Sequence, residues 1–522
     1  MRIRPRHVAA ICVAAAVLVL PGAASADNAN NSALGKDLDA LLGDASLRGG
    51  QVGLVVRDAD TGSVLYSRQG DSLLLPASTN KLFTSAAALE VLGPDYTFST
   101  TVSGTGRRVG SVLIGDLYLK GTGDPTLLAK DYQDLAAKVA ASGVRTVLGD
   151  LVADDTWFDS VRLGPSWAWD DEPYYYSAPV SALTVSPDTD YDAGSITVKV
   201  TPGVVGQPAK VELTPATDAV RVVDTATTSA AGTSPAVVVD RPHGSDTITV
   251  SGTIPAGGAA ANEFMAAGNP TAVAASVFRK ALADNGVRVV GGTSFRATPA
   301  EATRIADRKS IPLSQLQVPF LKLSNNMHAE ILTKAAGRKV HGQGTWDAGL
   351  RALGDKLTGL GVDPAAMQRV DGSGLSRMDL VSSGQLTALL VAAKGRPWFQ
   401  SWYEALPIAG NSERMVGGTL RNRLVGTPAA NNLHAKTGSM TGVSGLSGYV
   451  TAANGQKLVF SLLENNFLAG SVRSVEDAVA LRLATYNGAA DTAQPRLAPR
   501  VSPQHAPADR RTALECGWTK SC

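Results

Sequence analysis

The chain has 522 residues, with 48 Lys and Arg against 46 Asp and Glu and a formal net charge of +2. This balance argues against the basic surface that nucleic acid binding requires. The length exceeds what one hydrophobic core organises, so two or more domains are expected.

The chain opens with Arg2, Arg4 and Arg6, an apolar run from Val8 to Leu20, and a small-residue exit at Ala24, Ser25 and Ala26. These three parts predict a signal peptide over 1–26, cleaved before Asp27. A membrane anchor is the alternative, but the run is shorter than the roughly 20 residues a spanning helix needs. No later stretch is apolar for longer. The mature protein is therefore expected to be secreted or extracytoplasmic, soluble or loosely wall-associated, with no transmembrane anchor. Losing the leader removes three basic residues and no acidic one, leaving 45 against 46.

Residues 51–67 read as two strands around the turn Asp60, Thr61, Gly62, a hairpin. A helix follows over 78–92 and stops at Gly93-Pro94. From about 99 to 303 the composition shifts to Val, Thr, Gly and Pro, with alternating runs at 195–200, 210–213, 221–224 and 246–252. This predicts a β-rich insertion of one or two subdomains, with helices near 131–142 and 272–285. An apolar turn at 318–323 leads into a helix over 324–337, and 380–394 and 473–486 are also helical in pattern. Asn454-Gly455 between apolar runs at 444–464 is a strong hairpin signal. The expected fold is α/β (α+β): an antiparallel sheet drawn from both ends of the chain and flanked by helices. It is built from 27–98 and 304–488, and the insertion at 99–303 interrupts it. Residues 489–522 lack periodicity and read as a flexible tail. There Cys516 and Cys522 can pair as a local disulfide or remain two thiols, and neither state staples the core.

Three short patterns carry chemistry. Ser78 and Lys81 lie three apart at the start of a helix, which brings an amine to a hydroxyl. A serine needs an adjacent base, and burial and the positive end of a helix both favour the neutral lysine that can act as one. Ser324 and Asn326 are two apart in a pre-helical turn, where both side chains aim into a cleft; the same residues also suit a helix N-cap. Lys436 and Thr437 beside Gly438 and Ser439 suit a substrate carboxylate, with backbone bare enough for a peptide to lie along it as an added strand.

In this order and spacing, SxxK at 78–81, SxN at 324–326 and KTG at 436–438 form the set of penicillin-binding proteins and class A β-lactamases. The chain resembles most closely the D-Ala-D-Ala carboxypeptidase S13 family, the penicillin-binding protein 4 type. Segments 115–127, 177–188 and 371–377 also look like that family, and the resemblance covers most of the chain. It implies a β-lactamase/transpeptidase-like domain and a serine acyl-transfer cycle on peptidoglycan stem peptides. Ser78 would attack the carbonyl between two D-alanines while Lys81 takes its proton, and Ser324 with Lys436 would protonate the departing D-alanine. Asn326 would hold the substrate peptide group, and Lys436 and Thr437 the terminal carboxylate. The N–H groups of Ser78 and Ser439 would form the oxyanion hole. β-Lactams would trap the same serine. Cutting cross-links as an endopeptidase is the same chemistry with a different leaving amine. Trp167, Asp170 and Arg377 would grip a substrate side chain carrying both an amine and a carboxylate, such as diaminopimelate.

Two other readings remain. A β-lactamase would need a glutamate placed on water, for which Glu404 and Glu413 are the candidates; a binding protein would recognise wall peptides or β-lactams without cleaving them. His328, Ala329 and Glu330 resemble the start of a zinc-deaminase signature, but no Pro-Cys-x-x-Cys follows. HExxH, phosphate-loop and GxSxG patterns are missing, so no metal, cofactor or nucleic acid is expected.

Overall fold

The computed structural model describes residues 32–488 and Lys520. The leader, the cysteine pair and the rest of the tail predicted to be flexible lie outside the described residues.

Helix α1 (Ala33–Leu41) begins at Ser32, whose hydroxyl accepts the Gly35 N–H. Strands β1 (Gln51–Asp58) and β2 (Val64–Arg68) then form the first hairpin. Its turn is set by chemistry local to the sequence: the Asp58 carboxylate accepts the N–H groups of Asp60 and Thr61 at 2.9 and 2.7 Å, and Gly62 takes φ +74°, a conformation glycine adopts without steric cost. Three more strands come from the far end of the chain, β3 (His434–Met440), β4 (Val443–Thr451) and β5 (Lys457–Asn465). The sheet runs β2-β1-β5-β4-β3, every pair antiparallel, with Leu54 opposite Leu462.

Both faces of this sheet are covered. Leu458, Phe460 and Leu462 of β5 join a core with Leu34 and Leu38 of α1 and with Val475 and Val479 of α7, which spans Arg473–Ala484. The intervening Val459 and Leu463 join the opposite core. Side chains alternate between faces along a strand, so a strand covered twice reads as a continuous apolar run.

The second core is mostly helical on its far side, with Phe158, Val180 and Ala182 of the insertion packed into it. It contains α2 (Lys81–Leu92), α3 (Leu313–Lys322), α4 (Asn326–His341), α5 (Trp346–Thr358) and α6 (Ser383–Ala393). Helix α2 is the centre: every residue from Lys81 to Leu89 is buried, the pattern of a helix enclosed on all sides. It ends where expected, at Gly93 with φ +89°.

The 318–323 segment, expected as a turn, is the second half of α3, with Pro319 inside the helix. A proline there deprives the carbonyl four residues back of its partner. That carbonyl belongs to exposed Gln315, where water can satisfy it. Helix α5, capped by Thr345, and the short helix Phe399–Ala405 were not anticipated.

The β-rich insertion has its own core, in which Val102, Leu119, Leu135, Val139, Ile196 and Phe278 meet. A five-stranded mixed sheet, with Leu117–Gly121 at its centre, packs with the helices Ala129–Ala141 and Pro270–Asp284. Smaller sheets from 195–266 carry the alternating runs: in Ser195–Thr201, Ile196, Val198 and Val200 are buried. Among the described residues, no helix is long and apolar enough to cross a membrane.

Candidate active site

The start of α2 differs from a plain first helical turn. Residues Ala77–Asn80 form a 3-10 turn that leads into α2, and Ala77 takes φ +45°. Ser78 and Lys81 are both fully buried, with Lys81 Nζ 2.6 Å from Ser78 Oγ. Lys81 Nζ also donates to Asn326 Oδ1 at 2.7 Å and to the Ser373 carbonyl at 3.0 Å. Both can only accept: the Asn326 amide is oriented by its Nδ2, which donates to the Tyr176 carbonyl at 2.7 Å. These acceptors hold the amine against the serine hydroxyl, and a neutral amine carries a lone pair that can receive its proton. The geometry is that of a hydroxyl facing its base.

Ser324 lies at the junction of two helices. It takes φ +59°, and the Asn325 N–H closes on the Phe320 carbonyl at 3.0 Å, a helix-terminating motif in which glycine is usual at the left-handed position. Asn325 is at once the N-cap of α4, its side chain accepting the His328 N–H at 3.2 Å. Ser324 and Asn326 reach different lysines: Lys436 Nζ donates to Ser324 Oγ at 2.8 Å and to the Thr437 carbonyl at 2.8 Å.

The third motif is on β3, the edge strand. A Cβ on Gly438 would sit 2.8 Å from the Pro76 carbonyl oxygen, so only glycine lets β3 approach the serine turn this closely. The three motifs thus close a triangle, SxxK to SxN through Lys81 and Asn326, SxN to KTG through Ser324 and Lys436, and KTG to SxxK through Gly438. Thr437 is buried, its hydroxyl 2.9 Å from that of Thr419, and Ser439 is opposite Ser444 on β4.

Trp167, Asp170 and Arg377 come from two segments that meet. The Trp167 indole N–H donates to Asp371 at 3.0 Å, and the ring packs with Tyr176 and Leu375. Asp170 is half-buried in the 3-10 turn Trp169–Asp171, and Arg377 is exposed and donates to the Thr441 carbonyl at 3.0 Å. Glu404 and Glu413 are exposed; Glu404 accepts from Gln400, and Glu413 precedes a short helix.

Several participants were missed from sequence. Buried Glu330 accepts the N–H groups of Gly372 and Ser373 at 2.9 and 2.8 Å and the Trp346 indole at 2.7 Å, which fixes the loop whose carbonyl holds Lys81. Burial, with the Asp371 carboxylate nearby, pushes its carboxyl up to about 7. Its position four residues beyond Asn326 on α4, on the same face, was the available signal. Gly374 takes φ +83°, and a Cβ there would meet the Ala77 carbonyl oxygen at 1.9 Å.

A sheet flanked by helices, with a serine and lysine paired at the start of its central buried helix, defines the β-lactamase/transpeptidase-like class. The sequence profile of the D-Ala-D-Ala carboxypeptidase 3 (S13) family matches residues 34–486, and the chain belongs to that family. It is 47% identical over 508 residues to a D-alanyl-D-alanine carboxypeptidase of Actinomadura sp. (strain R39), covering 96% of this chain and 93% of that one. Against the D-alanyl-D-alanine carboxypeptidase DacB of Haemophilus influenzae the identity is 27% over 430 residues, 82% of this chain and 88% of the relative. The crystal structure of penicillin binding protein 4 from H. influenzae aligns with a TM-score of 0.75 at 26% identity, covering 86% of this chain and 99% of that chain.

Proposed function

We propose that the chain is a D-Ala-D-Ala carboxypeptidase acting on peptidoglycan stem peptides through an acyl-enzyme on Ser78. The observation that carries this is the Lys81 amine 2.6 Å from the Ser78 hydroxyl, held there by Asn326 Oδ1 and the Ser373 carbonyl.

In the first step Ser78 Oγ attacks the carbonyl between the two D-alanines and its proton passes to Lys81. The oxyanion is held by the N–H groups of Ser78 and Ser439. As the C–N bond breaks, the leaving amine takes a proton relayed from Lys436 through Ser324, and water then hydrolyses the ester on Ser78. The substrate lies along edge strand β3, with its carboxylate at Lys436 and Thr437. Asn326 orients Lys81 through its Oδ1, and its amide nitrogen, which donates to the Tyr176 carbonyl, has a second N–H to hold the substrate's peptide group. Trp167, Asp170 and Arg377 receive the substrate's amine- and carboxylate-bearing side chain.

Cleavage of cross-links follows from the same site, because the bond cut is again to a D-alanine carbonyl. β-Lactams acylate Ser78, and that adduct hydrolyses slowly. The substrate lies outside the cytoplasmic membrane, where a leader at 1–26 would deliver the chain. D-Alanine release from a D-Ala-D-Ala peptide, and cleavage of a cross-linked dimer, test the reading: both are expected from the wild type and neither from Ser78→Ala. Arg377→Ala is expected to raise KM for a diaminopimelate peptide more than for a plain one; equal effects would remove the side-chain subsite.

A further inference from the structure

One largely buried cation contact outside the catalytic set belongs to Lys520. Lys520 Nζ is 2.9 Å from Asp190 Oδ2 and is hydrogen-bonded to Asp192. It also lies 4.8 Å from the ring centroid of Tyr175 and 5.0 Å from that of Phe264. The side chain is only 13% exposed, and Asp192 only 9%. Two carboxylates and two aromatic faces around one compact charge are the elements of an ammonium-binding cage.

The cage is built rather than incidental. Arg414 grips Asp190 through both guanidinium nitrogens, so that carboxylate is fixed before Lys520 arrives. The other oxygen of Asp192 accepts from Asn325 Nδ2 at 2.9 Å. Asn325 is the middle residue of the SxN turn, and Lys520 lines the same small cavity as Asn325 and Asn326. Carboxylate oxygens of Asp188, Asp190 and Asp192 lie within 4.8 Å of one another. Of the three only Asp192 is buried, which is costly without a cation, and burial pushes its carboxyl up to about 6 even beside Lys520.

We propose that Asp190 and Asp192, with the faces of Tyr175 and Phe264, form a primary-ammonium site beside the SxN turn, and that Lys520 of the same chain fills it in cis. The 31 residues between Gly488 and Lys520 set no limit on reach, since an extended chain covers roughly 3.3 Å or more per residue. The occupant, Lys520, thereby lines the wall of the cleft beside Asn325 and Asn326. Filling by the chain's own ammonium excludes small amines at ordinary concentrations, because a tethered group is present at a high effective concentration.

The test uses the full chain and needs no catalytic activity, so its outcome is independent of the acyl-enzyme reading. Limited digestion with a non-specific protease, followed by intact mass, measures how fast the C-terminal residues are lost. Lys520→Met and Asp192→Asn are each expected to speed that loss several-fold, and the double variant to add nothing further. In parallel, n-butylammonium is expected to bind Lys520→Ala, read by the signals of Tyr175 and Phe264, and not the wild type. Lys520→Met lies on the tail and leaves the folded cage intact, so equal digestion rates for it and the wild type would overturn the proposal. So would a failure of Lys520→Ala to bind n-butylammonium, or a melting temperature that falls with a chelator and is insensitive to Lys520→Met, which would assign the three carboxylates to a metal ion.

Discussion

The insertion has two faces of very different consequence. Its inner segment, residues 175–192, is wholly buried from 175 to 186 and reaches the catalytic helices by backbone: the Tyr176 carbonyl accepts from Asn326, and the Tyr191 carbonyl is 2.9 Å from His328 Nε2. Its outer strands, Lys210–Thr214, Arg221–Asp224 and Val238–Asp240, alternate between half-buried and exposed positions, with Val238 58% exposed. These backbone contacts with the catalytic helices come from one short irregular stretch, next to the Trp167 indole that donates to Asp371. The contact that matters is made by the part with no periodic pattern.

This contrast can be broken from the site outwards. Lys81→Met removes the amine while keeping much of its volume, and acylation is expected to slow by about 10²–10⁴-fold, measured by penicillin adduct formation. At the junction with the inner segment, Asn325→Ala loses its bond to Asp192. It is expected to slow acylation by about 10- to 100-fold through misplacement of Ser324 and Asn326, and to lower stability by about 1.5–3 kcal/mol in urea titration. His328, next along the same helix, is fully buried, and burial lowers its ring from 6.5 to about 4. It folds neutral, so the unfolded chain binds the extra proton between those values. Its contribution is full above pH 6.5 and is lost as pH falls towards 4, by roughly 3 kcal/mol. Unfolding free energy measured across that window should show the slope, and His328→Gln should flatten it. On the outer strands, Val223→Thr at a 38% exposed position is expected to change stability by about 0.5 kcal/mol or less and activity not at all. A large loss of acylation there would break the contrast.

What was legible in the sequence follows the same division. The hairpins at 51–67 and 444–464 were readable because their turns carry chemistry of their own: Gly455 takes φ +84°, and its N–H bonds the Ala452 carbonyl at 2.9 Å. The insertion helices expected near 131–142 and 272–285 span Ala129–Ala141 and Pro270–Asp284, since half-exposed helices keep their period. Pro319 hid the second half of α3, because the exposure that makes a proline tolerable there is a tertiary fact. At the site, the three motifs were legible as patterns of side chains. The carbonyls of Tyr176 and Ser373 that position Asn326 and Lys81 were not, because any residue supplies a carbonyl and only the fold decides which one arrives. The left-handed Ala77 and Ser324 were equally silent, since neither residue type advertises a positive φ.

The central claim is that Ser78 is the acylated nucleophile and Lys81 its base. Intact-mass spectrometry of the wild type after brief exposure to benzylpenicillin, followed over hours and repeated with Ser78→Ala, addresses it most directly. The account predicts one long-lived adduct that maps to Ser78 and is missing from the variant. An adduct on Ser78→Ala, no adduct on the wild type, or one that disappears in seconds would contradict it, the last by making the protein a β-lactamase.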